Sequence, residues 1–209
     1  LIEKLTQEFP GSAFYAEAQG WVAGEKDADV WIIDPIDGTT NFAHGFPYFS
    51  ISVALARGGE IILGVVYNPV WKECFTAEKG QGAHRSGRPI HVSTTSDLQN
   101  SLLVTGFPYD IKTTAADNMA EFARTTRLTQ GVRRTGSAAL DLCNVACGRF
   151  DGYWEQNISL WDVAAGALIL QEAGGKVTDF YGKPLTNEVE NILATNGLIH
   201  DELFAALHE

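Results

Sequence analysis

The stretch from Trp31 to Phe42, WIIDPIDGTTNF, leaves few options for how this chain can fold. Trp31, Ile32 and Ile33 form an apolar run, followed at once by an acidic segment carrying Pro35 and Gly38. This is the pattern of a buried strand that delivers its end into a site. Ligand sites in layered α/β folds gather at such strand ends. Pro35 has no N–H for a strand ladder and biases Asp34 away from the α region. The strand is therefore expected to stop there, with Asp34 and Asp37 projecting from a short loop. Gly38 permits a sharp turn, and Thr39, Thr40 and Asn41 are residues typical of a helix start.

Two carboxylates held this close repel one another unless a cation or a proton sits between them. Hard oxygen ligands of this kind favour Mg²⁺, Mn²⁺ or Ca²⁺. The free N–H groups of the helix start and its dipole favour an anion. Metal and anion at one strand end point to phosphoryl chemistry. A lone D-x-x-D is more often a turn or helix cap, but the acids found further along the chain reverse that weighting. A haloacid-dehalogenase type of site needs D-x-D-G-T, and Pro35 stands where its nucleophilic Asp would be. An EF-hand loop needs acids at alternate positions and a distal Glu, which neither Asp27 to Trp31 nor Asp34 to Thr39 supplies.

With 209 residues, 45% hydrophobic and 20% charged, the chain can form one sizeable core or two closely joined halves. A net charge of −11 argues against a basic nucleic-acid surface, and an anionic substrate would need metal ions locally. Cys74, Cys143 and Cys147 are too few and scattered for a disulfide framework; they read as reduced core residues, without the partners of a zinc site. No apolar run approaches ~20 residues, so no membrane-spanning helix is expected; the expected setting is cytoplasmic.

Leu1 to Phe9 has helical spacing and ends at Pro10-Gly11. Ala13 to Ala16 is a short strand ending at Glu17, a carboxylate that could join Asp34, and Gly20 to Asp29 reads as a loop or flap. Phe49 to Arg57, Ile61 to Tyr67 and Glu73 to Glu78 read as consecutive antiparallel strands, with Gly80, Gly82 and Gly87 in a further hairpin and Pro89 to Val92 as another strand. In the second half, strands at Ser101 to Phe107, Val132 to Arg134 and Phe150 to Glu155 alternate with helices near Ala115 to Leu128 and Ala138 to Cys147, arguing for an α/β layer. The helix Val163 to Ala173 is apolar nearly all round and so buried, which places Asp162 deep in its first turn; Ser159-x-x-Asp162 also resembles a capping box. Lys176 to Asp179 and Ile192 to Thr195 read as strands, and Asp201 to Leu207 as a final helix.

With DPIDGTTNF in the first half and WDVAAGALILQEAGG in the second, the sequence resembles the inositol monophosphatase family of metal-dependent, lithium-sensitive phosphatases. GVVYNPVWKECFTAEKGQGA and GRFDGYWE extend the resemblance over essentially the whole chain. It implies an α/β (α+β) fold, a layered αβαβα sandwich of the sugar-phosphatase type, a homodimer, and Mg²⁺ as cofactor. Two or three ions are implied, with Mn²⁺ possible and Li⁺ as inhibitor. Residues 1–209 are then one phosphatase domain, with 1–100 the antiparallel metal-site half and 101–209 the α/β half. The resemblance also implies an N-terminal helical region, which these 209 residues are expected to lack.

Carried over by motif position, Asp34 would bridge two metals, Asp37 and Asp162 would hold the second, and Glu17 with the Ile36 carbonyl the first. The family mechanism is direct attack of a metal-activated water, with Thr39 and Glu17 orienting or deprotonating it and the phosphate on the Gly38–Thr39 helix start. Glu155 matches the residue that contacts inositol hydroxyls, and Gly136, Ser137 and Ala138 the neighbouring sugar-side segment. One departure stands out: the family usually reads GEES or GEET where this chain has Ala16, Glu17, Ala18, Gln19, so the second acid is absent.

The implied function is Mg²⁺-dependent hydrolysis of inositol 1-phosphate or a similar small polyol phosphate. Fructose 1,6-bisphosphate, histidinol phosphate and 3′-phosphoadenosine nucleotides are rival substrates of the same chemistry. A non-catalytic metal-binding or regulatory protein is the alternative from another class, motivated by Ala18 and disfavoured by the joint presence of Asp34, Asp37, Thr39 and Asp162.

Overall fold

A computed structural model describes residues 1–108 and 110–208. The first half of the chain supplies α1 (Ile2–Glu8), β1 (Ala13–Ala16), β2 (Gly20–Val22), β3 (Val30–Asp37), α2 (Thr39–Ala43), β4 (Ser50–Arg57), β5 (Glu60–Asn68), β6 (Glu73–Glu78), β7 (Ala83–Arg85) and β8 (Arg88–Pro89). The second half supplies β9 (Leu102–Thr105), α3 (Met119–Leu128), β10 (Gly131–Arg133), α4 (Ala138–Ala146), β11 (Gly152–Gln156), α5 (Leu160–Glu172), β12 (Lys176–Thr178), β13 (Asn191–Thr195) and α6 (His200–His208).

The strands form two sheets. One has eight strands in the order β2-β1-β3-β4-β5-β6-β7-β8, antiparallel except for the parallel pair β1 and β3. The other has five, β10-β9-β11-β13-β12, parallel from β10 to β11 and antiparallel thereafter. Helices α4 and α5 lie between the sheets and share the main core cluster with residues of both. On the outer side of the second sheet, α3 and α6 pack together, with α6 contributing Leu203, Ala206 and Leu207 to a core around Leu103, Trp154 and Leu193. On the outer side of the first, Ile2 and Leu5 of α1 cover Phe14, Ala16, Trp31 and Ile33. The layers therefore run α, β, α, β, α, as the sequence resemblance implies.

Small residues set the spacing that builds the site. The inward positions of β4 are Ser50, Ser52, Ala54 and Ala56, and a Cβ placed on Gly64 of β5 would lie 2.7 Å from the Ala165 carbonyl oxygen. Helix α5 thus lies close against the first sheet. A Cβ on Gly166 would meet the Leu142 Cβ at 2.8 Å, so α4 and α5 are equally close. These contacts bring the first turns of both helices to the end of β3.

Several sequence expectations need correction. The strand does not stop at Asp34: β3 continues through Pro35 to Asp37, because the β3–β4 register shifts between Asp34 and Asp37. Such a bulge leaves a residue outside the ladder, which is where a proline fits. Asp34 and Asp37 are therefore strand residues, not loop residues. The expected loop after Gly20 begins with β2, paired antiparallel to β1. The strand expected over Pro89 to Val92 shrinks to Arg88–Pro89, and the helix expected from Ala115 starts at Met119. Cys143 is buried, but Cys74 and Cys147 are only half-buried.

Candidate active site

Strand β3 places Asp34 and Asp37 one bulge apart at its C-terminal end, and α5 brings Asp162 to them from its first turn. Each offers a carboxylate oxygen within 4.8 Å of the others. Asp34 is 2% exposed, and its Oδ1 accepts the Ile36 N–H at 2.9 Å. Asp162 accepts the Ser159 N–H at 3.0 Å, which closes the capping box the sequence suggests. It is half-buried, not deep in the core as its apolar helix implied, because the first turn of α5 opens onto the cavity.

Asp37 is the most tightly held of the three. It accepts hydrogen bonds from the Ser50 hydroxyl at 3.0 Å, from the Ser137 hydroxyl, and from the Ala138 and Ala139 N–H groups at 3.1 Å each. The register pairs Asp37 with Ser50 across β3 and β4, and the other donors come from the opening turn of α4. Ser137 and Ala138, matched from sequence to the sugar side, thus also orient a carboxylate.

The electrostatics follow from this crowding. Burial, then the charges of Asp37, Glu17 and Asp162, hold Asp34 well above the carboxylate range. Burial raises Asp37 to about 6 despite the hydroxyl and N–H groups that favour its charged form. Burial and the Asp37 charge raise Asp162 to about 7. Among the described residues, no Lys, Arg or His forms an ion pair with any of the three. Three desolvated oxygen donors without a compensating cation fit a hard divalent metal ion.

The other sequence candidates lie around this centre. Glu17, at the end of β1, is exposed and outside the three-acid group, yet close enough for its charge to raise Asp34 and Asp162. Ile36 is half-buried in the bulge. Gly38 is buried at φ 92°, a conformation glycine adopts without strain, and Thr39 is exposed at the start of the five-residue α2. Next to Asp37 and Asp162 opens a cavity of about 370 Å³ whose walls include Gly136, Ser137, Ala138 and Glu155. Glu155 is half-buried on β11, accepts the Tyr153 hydroxyl at 2.6 Å, and is raised to about 7 chiefly by burial.

Sequence reasoning missed Asn41, Ser50, Tyr48, Asp141 and Arg134. Asn41 reaches across from α2 to donate to the carbonyls of Tyr48 at 2.7 Å and Thr135 at 2.8 Å. Arg134, on the cavity wall, lies over the Phe107 ring at 4.9 Å. Asn41 belongs to the motif itself, whereas the others carry no local signal and are recruited by β-register and helix packing.

The whole chain, residues 1–209, matches the model of the inositol monophosphatase family. The chain belongs to the inositol monophosphatase family. An inositol-1-monophosphatase from Synechocystis sp. is 50% identical over 207 residues, covering 99% of this chain and 72% of that protein. Nus factor SuhB from Pseudomonas aeruginosa is 43% identical over 202 residues, 94% of this chain and 74% of its own length. The solved structure of an inositol monophosphatase from Anabaena (Nostoc) superposes with a TM-score of 0.96 at 52% identity, over 99% of this chain and 82% of that one. Family membership makes this chain a phosphatase, and the family's dependence on metal agrees with the acid cluster at the end of β3.

Proposed function

We propose that this chain hydrolyses inositol 1-phosphate, or a similar small polyol phosphate, with Mg²⁺ held by Asp34, Asp37 and Asp162. The observation that carries the reading is the convergence of these three carboxylates, uncompensated by any described cation, beside a cavity of about 370 Å³. Glu17 and the Ile36 carbonyl would help to hold the metal. When bound, the divalent ions lower the pKa of water and neutralise charge that builds on the phosphoryl and leaving oxygens.

The chain's own residues supply position and proton handling. The backbone N–H groups at Gly38 and Thr39 receive the phosphate oxygens, and the Thr39 hydroxyl with Glu17 orients the attacking water. Asp37, fixed by four donors, cannot swing away as charge shifts. On the leaving-group side, Glu155 accepts hydrogen bonds from polyol hydroxyls, next to the Gly136–Ala138 wall. The enzyme acts as a homodimer and is inhibited by Li⁺.

The test is phosphate release from inositol 1-phosphate, fructose 1,6-bisphosphate, histidinol phosphate and 3′-phosphoadenosine 5′-phosphate, with Mg²⁺, EDTA or added Li⁺. Inositol 1-phosphate is expected to rank first, with release abolished by EDTA and suppressed by Li⁺. Asp37→Asn should lose turnover while keeping its circular dichroism; near-normal turnover in that variant would refute the metal assignment.

A further inference from the structure

Asp141 is a second buried carboxylate near the cavity, and the proposed chemistry gives it no role. It is 1% exposed on α4, one turn in from the donors that hold Asp37. Its Oδ1 accepts two hydroxyls, from Tyr48 at 2.8 Å and from Thr135. Thr135 stands two residues before Ser137 and Tyr48 two residues before Ser50, and Ser137 and Ser50 both donate to Asp37. Asp141 therefore ties together the two segments that carry those hydroxyl donors.

The tie has a defined direction. The Asn144 amide donates to the Tyr48 hydroxyl at 2.9 Å, so that hydroxyl must send its own proton to Asp141. Arg149 in turn donates to Asn144 at 2.9 Å and is gripped by Glu73 at 2.6 and 2.9 Å. A single donor chain thus runs from the surface pair Arg149–Glu73 through Asn144 and Tyr48 to Asp141. Asn41 closes the other side of the frame through the Tyr48 and Thr135 carbonyls.

We infer that Asp141 and Tyr48 are positioning residues for Asp37: the buried carboxylate fixes the start of α4 against the 48–50 segment, and so sets the geometry at which Asp37 takes its metal ion. The inference rests on the reading of Asp37 as a metal ligand.

It is tested by equilibrium Mn²⁺ binding, followed by calorimetry, in wild type, Tyr48→Phe, Asp141→Asn and Thr178→Val. Tyr48→Phe removes one hydroxyl and should weaken Mn²⁺ binding about 10-fold, the size expected for the loss of a group that orients a ligand. Asp141→Asn replaces the carboxylate by a weaker amide acceptor and puts an N–H₂ group into a buried position, so it should weaken Mn²⁺ binding at least as much as Tyr48→Phe. Thr178→Val breaks a different buried hydrogen bond, between β12 of the second sheet and His200 at the start of α6, and controls for general loosening; its Mn²⁺ affinity should not change. The inference is overturned if Tyr48→Phe or Asp141→Asn binds Mn²⁺ as tightly as wild type, or if Thr178→Val weakens binding as much as they do. A wild type that binds no Mn²⁺ would overturn the metal reading itself, which the other outcomes leave standing.

Discussion

Replacing Asp162 by Asn should make the metal-free protein more stable while removing its activity. Asp162 titrates at about 7 in the folded chain against an ordinary 3.8. At ~1.4 kcal/mol per pH unit, the charged carboxylate weakens the metal-free fold by at most about 4 kcal/mol. Half-burial lets solvent screen roughly half of that, and losing a negative charge at the start of α5 costs ~0.5 kcal/mol. Asn keeps an acceptor for the Ser159 N–H, so the capping bond survives. The net gain is ~1.5 kcal/mol, or about 3–6 °C in Tm for a domain of this size. Because the folded pKa is raised, the neutral form stabilises fully below pH ~3.8, and that stability is lost as pH rises through about 7. The advantage of Asp162→Asn should therefore be absent at pH 3.5, grow between pH 4 and 7, and level off above. Thermal melts in EDTA across this range measure it, and saturating Mg²⁺ should reverse the order, since only wild type gains full binding energy. A variant that melts at or below wild type in EDTA at pH 8 would refute the reasoning.

Two further substitutions probe the site from other sides. Gly38→Ala puts a side chain at φ 92° with its Cβ 3.0 Å from the Gly136 carbonyl oxygen and 3.2 Å from that of Tyr48. It should cost ~2–3 kcal/mol in urea unfolding and lower kcat/KM about 100-fold, because the displaced turn carries the phosphate. Glu155→Gln should raise KM for inositol 1-phosphate about 10-fold with kcat little changed, the worth of one hydrogen bond to a charged group. In wild type, KM should fall as pH rises through about 7, where Glu155 ionises, and the Glu155→Gln variant should show a flat profile.

Much of the fold was legible because its signals are local. Apolar runs broken by Gly and Pro placed most of β3 to β6, and the all-apolar face pattern of α5 marked it as buried between layers. The errors came where partners decide. Pro35 read locally as a strand stop, yet β4 accommodates it in a bulge and the strand runs on. Gly20 to Val22 has no strand signal of its own and becomes one by pairing with β1. Asp162 read as deep because its helix is apolar, while the cavity beside its first turn leaves it partly exposed.

The sequence by itself determined the chemistry on offer: two acids flanking Pro35, a glycine turn after them, and a third acid in a capping box 125 residues beyond Asp37 in the numbering. These lie in continuous motifs, so residue type and spacing suffice to read them. Only the tertiary structure decided that the three carboxylates meet within 4.8 Å, that Glu17 stands outside that group, that Ser50 and Ser137 hold Asp37 in place, and that Tyr48 and Asp141 bond to each other beside them. The physical reason is that those contacts span strand register and helix packing, where closeness depends on small residues such as Gly64 and Gly166 letting α4 and α5 approach.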